Sequence, residues 1–129
     1  AIGQGLPVAT GAAVAAPDRQ VFAMEADGSG MYTLQALWTQ AREFLNVVNI
    51  IFANRAYKIL QVEMKKLCDK EDGPKSSSMM ELDNPNLDWV QLSQGMGVPA
   101  VSVDTAEAFN EALKRGIEQS GPCLIEALV

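Results

Sequence analysis

The stretch VVNIIFANRAY (residues 47–57) decides the fold. It opens with seven residues of which only Asn49 is polar, and most of the others are β-branched or aromatic. A strand that is buried on both faces has this composition, as in a parallel sheet covered by helices on each side. The run ends in Asn54, which begins a short polar segment. We therefore expect a central strand over Val47–Ala53 and a functional loop directly after it.

A second stretch, VFAMEADGSG (residues 21–30), repeats this arrangement earlier in the chain. Val21 to Met24 predicts a short buried strand that ends at Asp27 and Gly28, and 27 positions separate Asp27 from Asn54. If both strands are parallel, the two loops that follow them meet at the same edge of the sheet.

The remaining patterns alternate between helix and strand, which favours βαβ units. We expect an α/β fold: a three-layer, doubly wound sheet, mainly parallel, with helices on both faces. Apolar spacing predicts the helices, with Thr105 as an N-cap and Gly97 as a stop, whereas residues 69–83 are expected to form a flexible loop. The predicted helices cover residues 5–16, 31–45, 55–67, 88–96 and 105–119, and the further strands cover 98–103 and 123–129.

The composition excludes several classes of function. The chain has 129 residues, a net charge of −6 and no long basic run, so we do not expect it to bind nucleic acid, which requires clustered Lys and Arg. It has no histidine, which excludes histidine-based triads and histidine metal sites within these residues. No apolar segment is long enough for a membrane span. The two cysteines, Cys68 and Cys123, fit neither a disulfide framework nor a zinc motif. We expect a cytoplasmic protein and, because the sequence opens on Ala1 in the middle of a pattern, a piece of a longer chain.

The two loops together predict a site for a diphosphate held by magnesium. Asp27 offers a carboxylate and Asn54 an amide oxygen, and Mg²⁺ prefers hard oxygen ligands. Gly28 and Gly30 are expected to leave room for a phosphate near the backbone, and Ser29 can donate a hydroxyl. A helix starting near residue 31 would point its amides at the same anion.

These residues resemble the diphosphate-binding domain of thiamine diphosphate enzymes. That family carries Gly-Asp-Gly and, about two dozen residues later, Asn-Asn. Here ADGS (26–29) and AN (53–54) stand at those places, while IGQGLPVA (2–9) and GPCLIE (121–126) resemble the family's first helix and last strand. Within the family, LQALWT (34–39) and NRAYKIL (54–60) look most like the acetolactate synthase large subunit and benzoylformate decarboxylase branch.

The resemblance implies a role for each matched residue. Asp27, the Asn54 side chain and the Ala56 carbonyl would bind Mg²⁺. Cofactor contacts would come from a further set: Ile2 beneath the bent ring system, Gly28, Ser29, the Gly30 amide, Asn54 and Tyr57. The parent enzyme would decarboxylate 2-oxo acids or join them to an acceptor, as a homodimer or larger assembly with the cofactor at the subunit interface.

The resemblance also implies what this chain lacks. In the family, a glutamate from a separate domain of the partner subunit promotes cofactor activation, and no segment here resembles that domain. We therefore expect residues 1–129 to be the C-terminal domain of a longer enzyme, with no catalytic residue of its own and little activity alone.

Two departures from the family pattern leave alternatives open. Ala26 replaces the first glycine, which would strain the loop if that position needs a positive φ. Ala53 replaces the first asparagine. A non-catalytic, cofactor-shaped module therefore remains an alternative, as does a plain nucleotide-binding domain. A dinucleotide loop at Gly3-Gln4-Gly5 is disfavoured, because Val8 stands where the third glycine should be.

Overall fold

The computed structural model describes residues 2–67 and 73–129, which form a parallel sheet between helices. The four strands are parallel and are ordered β1-β2-β4-β3 across the sheet. The strands are β1 (Val21–Ala26), β2 (Val47–Ala53), β3 (Ala100–Val103) and β4 (Cys123–Leu128). The helices are α1 (Gly5–Ala15), α2 (Asp27–Gly30), α3 (Ala36–Arg42), α4 (Lys58–Leu67), α5 (Pro74–Ser78), α6 (Trp89–Gly95) and α7 (Ala106–Glu118). The predicted α/β architecture is confirmed.

Two apolar cores lie on opposite faces of the sheet. On one face, α1, α3 and α6 pack against alternate strand residues such as Ala23, Ile51 and Leu124. On the other face, α7 packs through Ala112 against Val48, Ile50, Val103, Cys123, Ile125 and Ala127. Because β2 and β4 carry apolar side chains toward both cores, they read as continuous apolar runs in the sequence.

A buried polar network fixes the centre of the molecule. Asn49 of β2 and Gln40 of α3 are both fully buried and exchange two hydrogen bonds, of 2.7 and 3.3 Å. Gln40 also donates to the Thr10 hydroxyl of α1, and Asn49 donates to the Cys123 carbonyl of β4. The single polar residue in the decisive strand is thus fully paired, as buried polar groups must be.

Three sequence predictions need correction. The helix expected over residues 31–45 covers only Ala36–Arg42, and Trp38 is exposed beneath the Arg42 guanidinium, 4.8 Å from its ring centroid. The helix expected from residue 55 begins at Lys58. Residues 69–83, expected to be a loop, contain α5 and a bridge that pairs Glu81 with Ala56; residues 68–72 of that stretch lie outside the described ranges.

The end of β1 and the end of β2 lie side by side. Ala26 pairs with Phe52 in the parallel register, so the residues that follow both strands reach the same edge of the sheet. The loops predicted to meet at this edge do meet there.

Candidate functional site

Asp27 is a buried carboxylate at the point where β1 becomes helix. Ala26 has an ordinary extended conformation (φ −81°, ψ 152°), and α2 begins at the next residue. Only 1% of Asp27 is exposed, and its Oδ1 accepts a 2.8 Å hydrogen bond from the Gly28 amide. Its Oδ2 accepts a 2.7 Å hydrogen bond from the Arg55 amide. Position 26 therefore does not need a positive φ, and alanine causes no backbone strain there.

Arg55 turns the chain so that the loop after β2 faces Asp27. Its φ of 56° lies in the left-handed region, which is uncommon for a residue with a side chain. This conformation directs its amide at Asp27, while the Oδ1 of the preceding Asn54 accepts a 3.0 Å hydrogen bond from the Ala56 amide. The oxygen of Asn54 is therefore oriented by the backbone of its own loop.

A distant segment holds this loop from the other side. The Leu82 amide donates a 2.7 Å hydrogen bond to the Arg55 carbonyl, and the Tyr57 amide donates a 2.8 Å hydrogen bond to the Met80 carbonyl. Ala56 sits between these two bonds, opposite Glu81 in an antiparallel bridge. Neighbouring residues of an antiparallel pair point their main-chain groups to opposite sides, so the Ala56 carbonyl points away from segment 80–82.

Most of the predicted cofactor residues line one cleft of about 230 Å³. The predicted residues that line it are Ile2, Gly28, Ser29, Asn54, Ala56 and Tyr57. Two predicted residues are not part of its wall: Asp27 is buried, and Gly30 is buried against Trp89. The structure thus brings most of the sequence-predicted set together around one small cleft at the carboxyl ends of β1 and β2.

The two glycines make room for aromatic side chains. A Cβ atom at Gly28 would lie 2.7 Å from the Tyr57 ring, and one at Gly30 would lie 2.7 Å from the Trp89 ring. The space beside their α-carbons is therefore occupied within the chain, and the prediction that both glycines keep that space open for a phosphate needs this correction. Any contact of these residues with an anion would come from the backbone.

The amides expected to face an anion also differ from the prediction. No helix starts near Met31; its amide donates to the Asp27 carbonyl at 3.1 Å, and the Thr33 amide donates to the Gly30 carbonyl at 3.2 Å. The Gly28 amide is used by Asp27. The amides of Ser29 and Gly30 belong to the first turn of α2, where amides have no partner four residues earlier in the helix.

The donor set suits a hard divalent cation. Within residues 2–67 and 73–129, no group of three or more His, Cys, Asp or Glu residues could hold a metal, and Asp27 forms no ion pair with Lys or Arg. A buried carboxylate without a cation is energetically costly, and a bound cation would relieve that cost. One carboxylate, one amide oxygen and one main-chain carbonyl are the ligand types that Mg²⁺ takes, with waters or phosphate oxygens completing its shell.

Sequence reasoning missed the residues that position the site. Arg55, Met80 and Leu82 act through main-chain hydrogen bonds, which any residue other than proline can supply. Residues 80–82 lie about 25 positions after the loop that they hold, so no local pattern indicates the pairing. The positive φ of Arg55 likewise has no signature, since glycine or asparagine would be expected there.

The chain is similar to known proteins over nearly its whole length. Residues 1–127 match the family described as "Thiamine pyrophosphate enzyme, C-terminal TPP binding domain". A Mycobacterium tuberculosis protein named "Putative acetolactate synthase large subunit IlvX" is 47% identical over all of this chain and 25% of its own length. Benzoylformate decarboxylase from Pseudomonas aeruginosa is 37% identical over 97% of this chain and 22% of its own length.

A solved structure shares the fold. The thiamine diphosphate-dependent 4-hydroxybenzoylformate decarboxylase of Rhodococcus jostii RHA1 superposes with a TM-score of 0.86 and 39% identity, over 97% of this chain and 22% of that one. The chain thus spans about a quarter of the length of these relatives. No helix in the described ranges has the length and apolar character needed to cross a membrane. From the family match over residues 1–127, this chain belongs to the C-terminal thiamine pyrophosphate-binding domains of thiamine pyrophosphate (thiamine diphosphate) enzymes.

Proposed function

We propose that this chain anchors the diphosphate and Mg²⁺ of thiamine diphosphate in a 2-oxo acid decarboxylase or carboligase, most like the acetolactate synthase large subunit. The chain would form the C-terminal domain of that longer enzyme. Asp27, the Asn54 side chain and the Ala56 carbonyl would bind the metal. The amides of Ser29 and Gly30, with Gly28 and Tyr57 beside them, would hold the diphosphate.

The observation that carries this proposal is the state of Asp27. Its carboxylate is 1% exposed, has no cationic partner in the described ranges, and is oriented by two main-chain amides at 2.7 and 2.8 Å. Each of its oxygens keeps a further lone pair after accepting one hydrogen bond. A buried carboxylate that two amides orient and that no Lys or Arg of the described ranges neutralises supports a role in binding a cation.

The chain's residues would bind and orient the cofactor, whose own chemistry does the rest. When bound, thiamine diphosphate supplies the carbanion that adds to a 2-oxo acid. The loops that carry Asp27 and Asn54 would hold the diphosphate end of the cofactor. Ile2, which is 54% exposed in the cleft, would contact the ring end of the cofactor. Proton transfer would come from residues outside this chain.

A benzoylformate-type decarboxylase is a second candidate. The 37% identity to the Pseudomonas aeruginosa enzyme and the TM-score of 0.86 to the Rhodococcus jostii enzyme support it. Assays of the full polypeptide with pyruvate and with benzoylformate separate the two: acetolactate would support the first candidate, and benzaldehyde the second. A protein that binds cofactor yet converts neither substrate would support the non-catalytic module.

Association into a dimer is part of the proposal. Helix α4 follows the loop that carries Asn54 and Ala56, and it has no buried residue. Its exposed apolar residues are Ile59, Leu60, Val62 and Leu67. Such a surface beside the cleft supports an interface there, as in enzymes that bind cofactor between subunits. Sedimentation equilibrium of the full polypeptide, with and without cofactor, tests this part.

Calorimetric titration tests the metal-dependent anchor. Thiamine diphosphate is titrated into the full polypeptide in the presence of Mg²⁺ and again in the presence of a chelator. The proposal expects binding that requires Mg²⁺ and is lost in Asp27→Asn, while Asp18→Asn, which changes an exposed carboxylate, binds normally. Binding that is the same with chelator, or the same in Asp27→Asn, would contradict the proposal.

A further inference from the structure

The loop that carries Ile2 is hydrogen-bonded to, and packed against, the segment that follows α2. The Thr33 hydroxyl donates a 2.7 Å hydrogen bond to the Gly3 carbonyl, which lies 30 positions earlier in the chain. Gly3 has a φ of 78°, and a Cβ atom at this residue would lie 2.7 Å from the Cβ of Tyr32. The backbone at Gly3 therefore lies directly against residues 32–33, and only glycine fits there without strain.

A second contact holds the other end of this loop. The Glu25 carboxylate of β1 occupies the space where a side chain at Gly5 would stand. Gly5 is the first residue of α1, so the chain between Ile2 and α1 is held between β1 and the turn after α2. Both contacts come from residues close to Asp27 in sequence.

Ile2 has little packing of its own. It is 54% exposed, and it lines the cleft together with Ser29 and Tyr57. An exposed isoleucine gains stability only when an apolar surface covers it. Its position therefore depends on the Gly3 backbone, and hence on the hydrogen bond from Thr33.

We propose that Thr33 is a positioning residue that sets Ile2 against the ring portion of the bound cofactor and has no part in holding the diphosphate. This inference rests on the proposed function. Thr33 couples two parts of the cleft: the segment that begins with Asp27 binds the metal end, and the loop at Ile2 meets the ring end. Loss of the hydroxyl releases only the second part.

Two probes separate these roles in the full polypeptide. One is thiamine diphosphate with Mg²⁺, and the other is inorganic pyrophosphate with Mg²⁺, which has the anion but no ring. In Thr33→Val we expect the affinity for thiamine diphosphate to fall about threefold to tenfold, the value of one hydrogen bond, while the affinity for pyrophosphate is unchanged. Thr33→Ser restores the hydroxyl and should restore the affinity for thiamine diphosphate.

Two controls distinguish a positioning role of Thr33 from a general loss of stability. Thr39→Val changes another partly buried threonine, on α3, and should leave both affinities unchanged. Urea unfolding of every variant detects general destabilisation. If Thr33→Val lost the same factor of affinity for both probes, or left the ratio of the two affinities unchanged, the role of Thr33 would be overturned. Failure of the unmodified protein to bind either probe would instead overturn the proposed function.

Discussion

The main-chain amide of Arg55 donates a 2.7 Å hydrogen bond to Oδ2 of Asp27, across 28 positions of sequence. This bond joins the loop after β2 to the start of α2, so two of the proposed metal ligands, Asp27 and Asn54, keep a fixed spacing without a metal between them. Because the donor is a main-chain group, the spacing depends on the conformation of Arg55 and not on its side chain.

Replacement of Asp27 should destabilise the metal-free protein as well as abolish metal binding. Asp27→Asn keeps one acceptor oxygen, but its NH₂ group would then face one of the two amides, of Gly28 or of Arg55, that the carboxylate now satisfies. An unsatisfied buried donor costs about 1–3 kcal/mol. Urea unfolding in the presence of chelator measures the change; unaltered stability would show that the two amides find other partners.

Leu82→Pro should weaken metal binding from outside the cleft. Proline lacks the amide hydrogen with which Leu82 donates to the Arg55 carbonyl. The preceding residue, Glu81, already pairs with Ala56 as extended backbone, which is the conformation that a following proline requires. Without this bond the loop bearing Asn54 and Ala56 is less constrained, and we expect a loss of affinity of about tenfold. Electron paramagnetic resonance of Mn²⁺ with thiamine diphosphate measures it.

The matched control for that experiment is Leu82→Ala. This variant keeps the main-chain hydrogen bond and removes the side chain, one methyl group of which lies close to Gly28. Metal affinity should be kept in Leu82→Ala and reduced in Leu82→Pro. Similar losses in both variants would attribute the effect to the side chain.

Alanine should be harmful at one glycine and helpful at another. In Gly30→Ala the new Cβ would lie 2.7 Å from the buried Trp89 ring, and overpacking of this kind costs about 1–3 kcal/mol. Gly11 lies within α1, and a Cβ atom added there would meet no neighbouring atom within 4 Å, so Gly11→Ala should stabilise by about 0.4–1 kcal/mol. Thermal unfolding should rank Gly11→Ala above the unmodified protein and Gly30→Ala below it.

Ala26→Gly, which restores the family's glycine, should lower stability. Ala26 already adopts an extended conformation that suits any residue, so glycine relieves no strain and adds entropy to the unfolded chain. The expected loss is about 0.5–1 kcal/mol by urea unfolding. A gain in stability would contradict this prediction, because it would mean that alanine is strained at position 26 despite its ordinary backbone angles.

Burial of Cys123 should make stability fall at alkaline pH. Desolvation raises the pKa of its thiol to about 11 from an ordinary value of 9.0. The folded protein therefore favours the neutral thiol, and the resulting stability is fully present below about pH 9 and is lost as the pH rises toward 11. The difference in unfolding free energy between the unmodified protein and Cys123→Ala should shrink over this range. A difference that does not change with pH would contradict the raised pKa.

The sequence predicts those elements whose cause is local. Val47–Ala53 has its predicted boundaries because an apolar run of seven residues between polar segments favours a strand buried on both faces. Thr105 is the predicted N-cap of α7, and its hydroxyl accepts from the Ala108 amide at 3.2 Å. The turn at Gly97, with a φ of 83°, ends α6 as expected. These features depend on composition, spacing and backbone preference within a few residues.

The two helices that start late do so where hydrogen bonds to a distant segment replace helical hydrogen bonds. The helix expected from residue 31 starts late, because residues 31–33 form turns that bring the Thr33 hydroxyl to Gly3. The helix expected from residue 55 starts late, because residues 55–57 pair with residues 80–82. Apolar periodicity continues through both stretches, so it cannot show where long-range hydrogen bonds replace helical ones.

The paired amides of Asn49 and Gln40 have a consequence for folding fidelity. A slip of β2 by one residue would turn Asn49 toward the apolar core beneath α7, and Gln40 in the opposite core would keep only its hydrogen bond to the Thr10 hydroxyl. The native register lets Asn49 and Gln40 satisfy each other's amides, so the pair disfavours a one-residue shift of β2. Asp27 and Asn54, the two proposed ligands, can then reach the same place in each folded molecule, even though neither side chain lies between the strands whose register the pair sets.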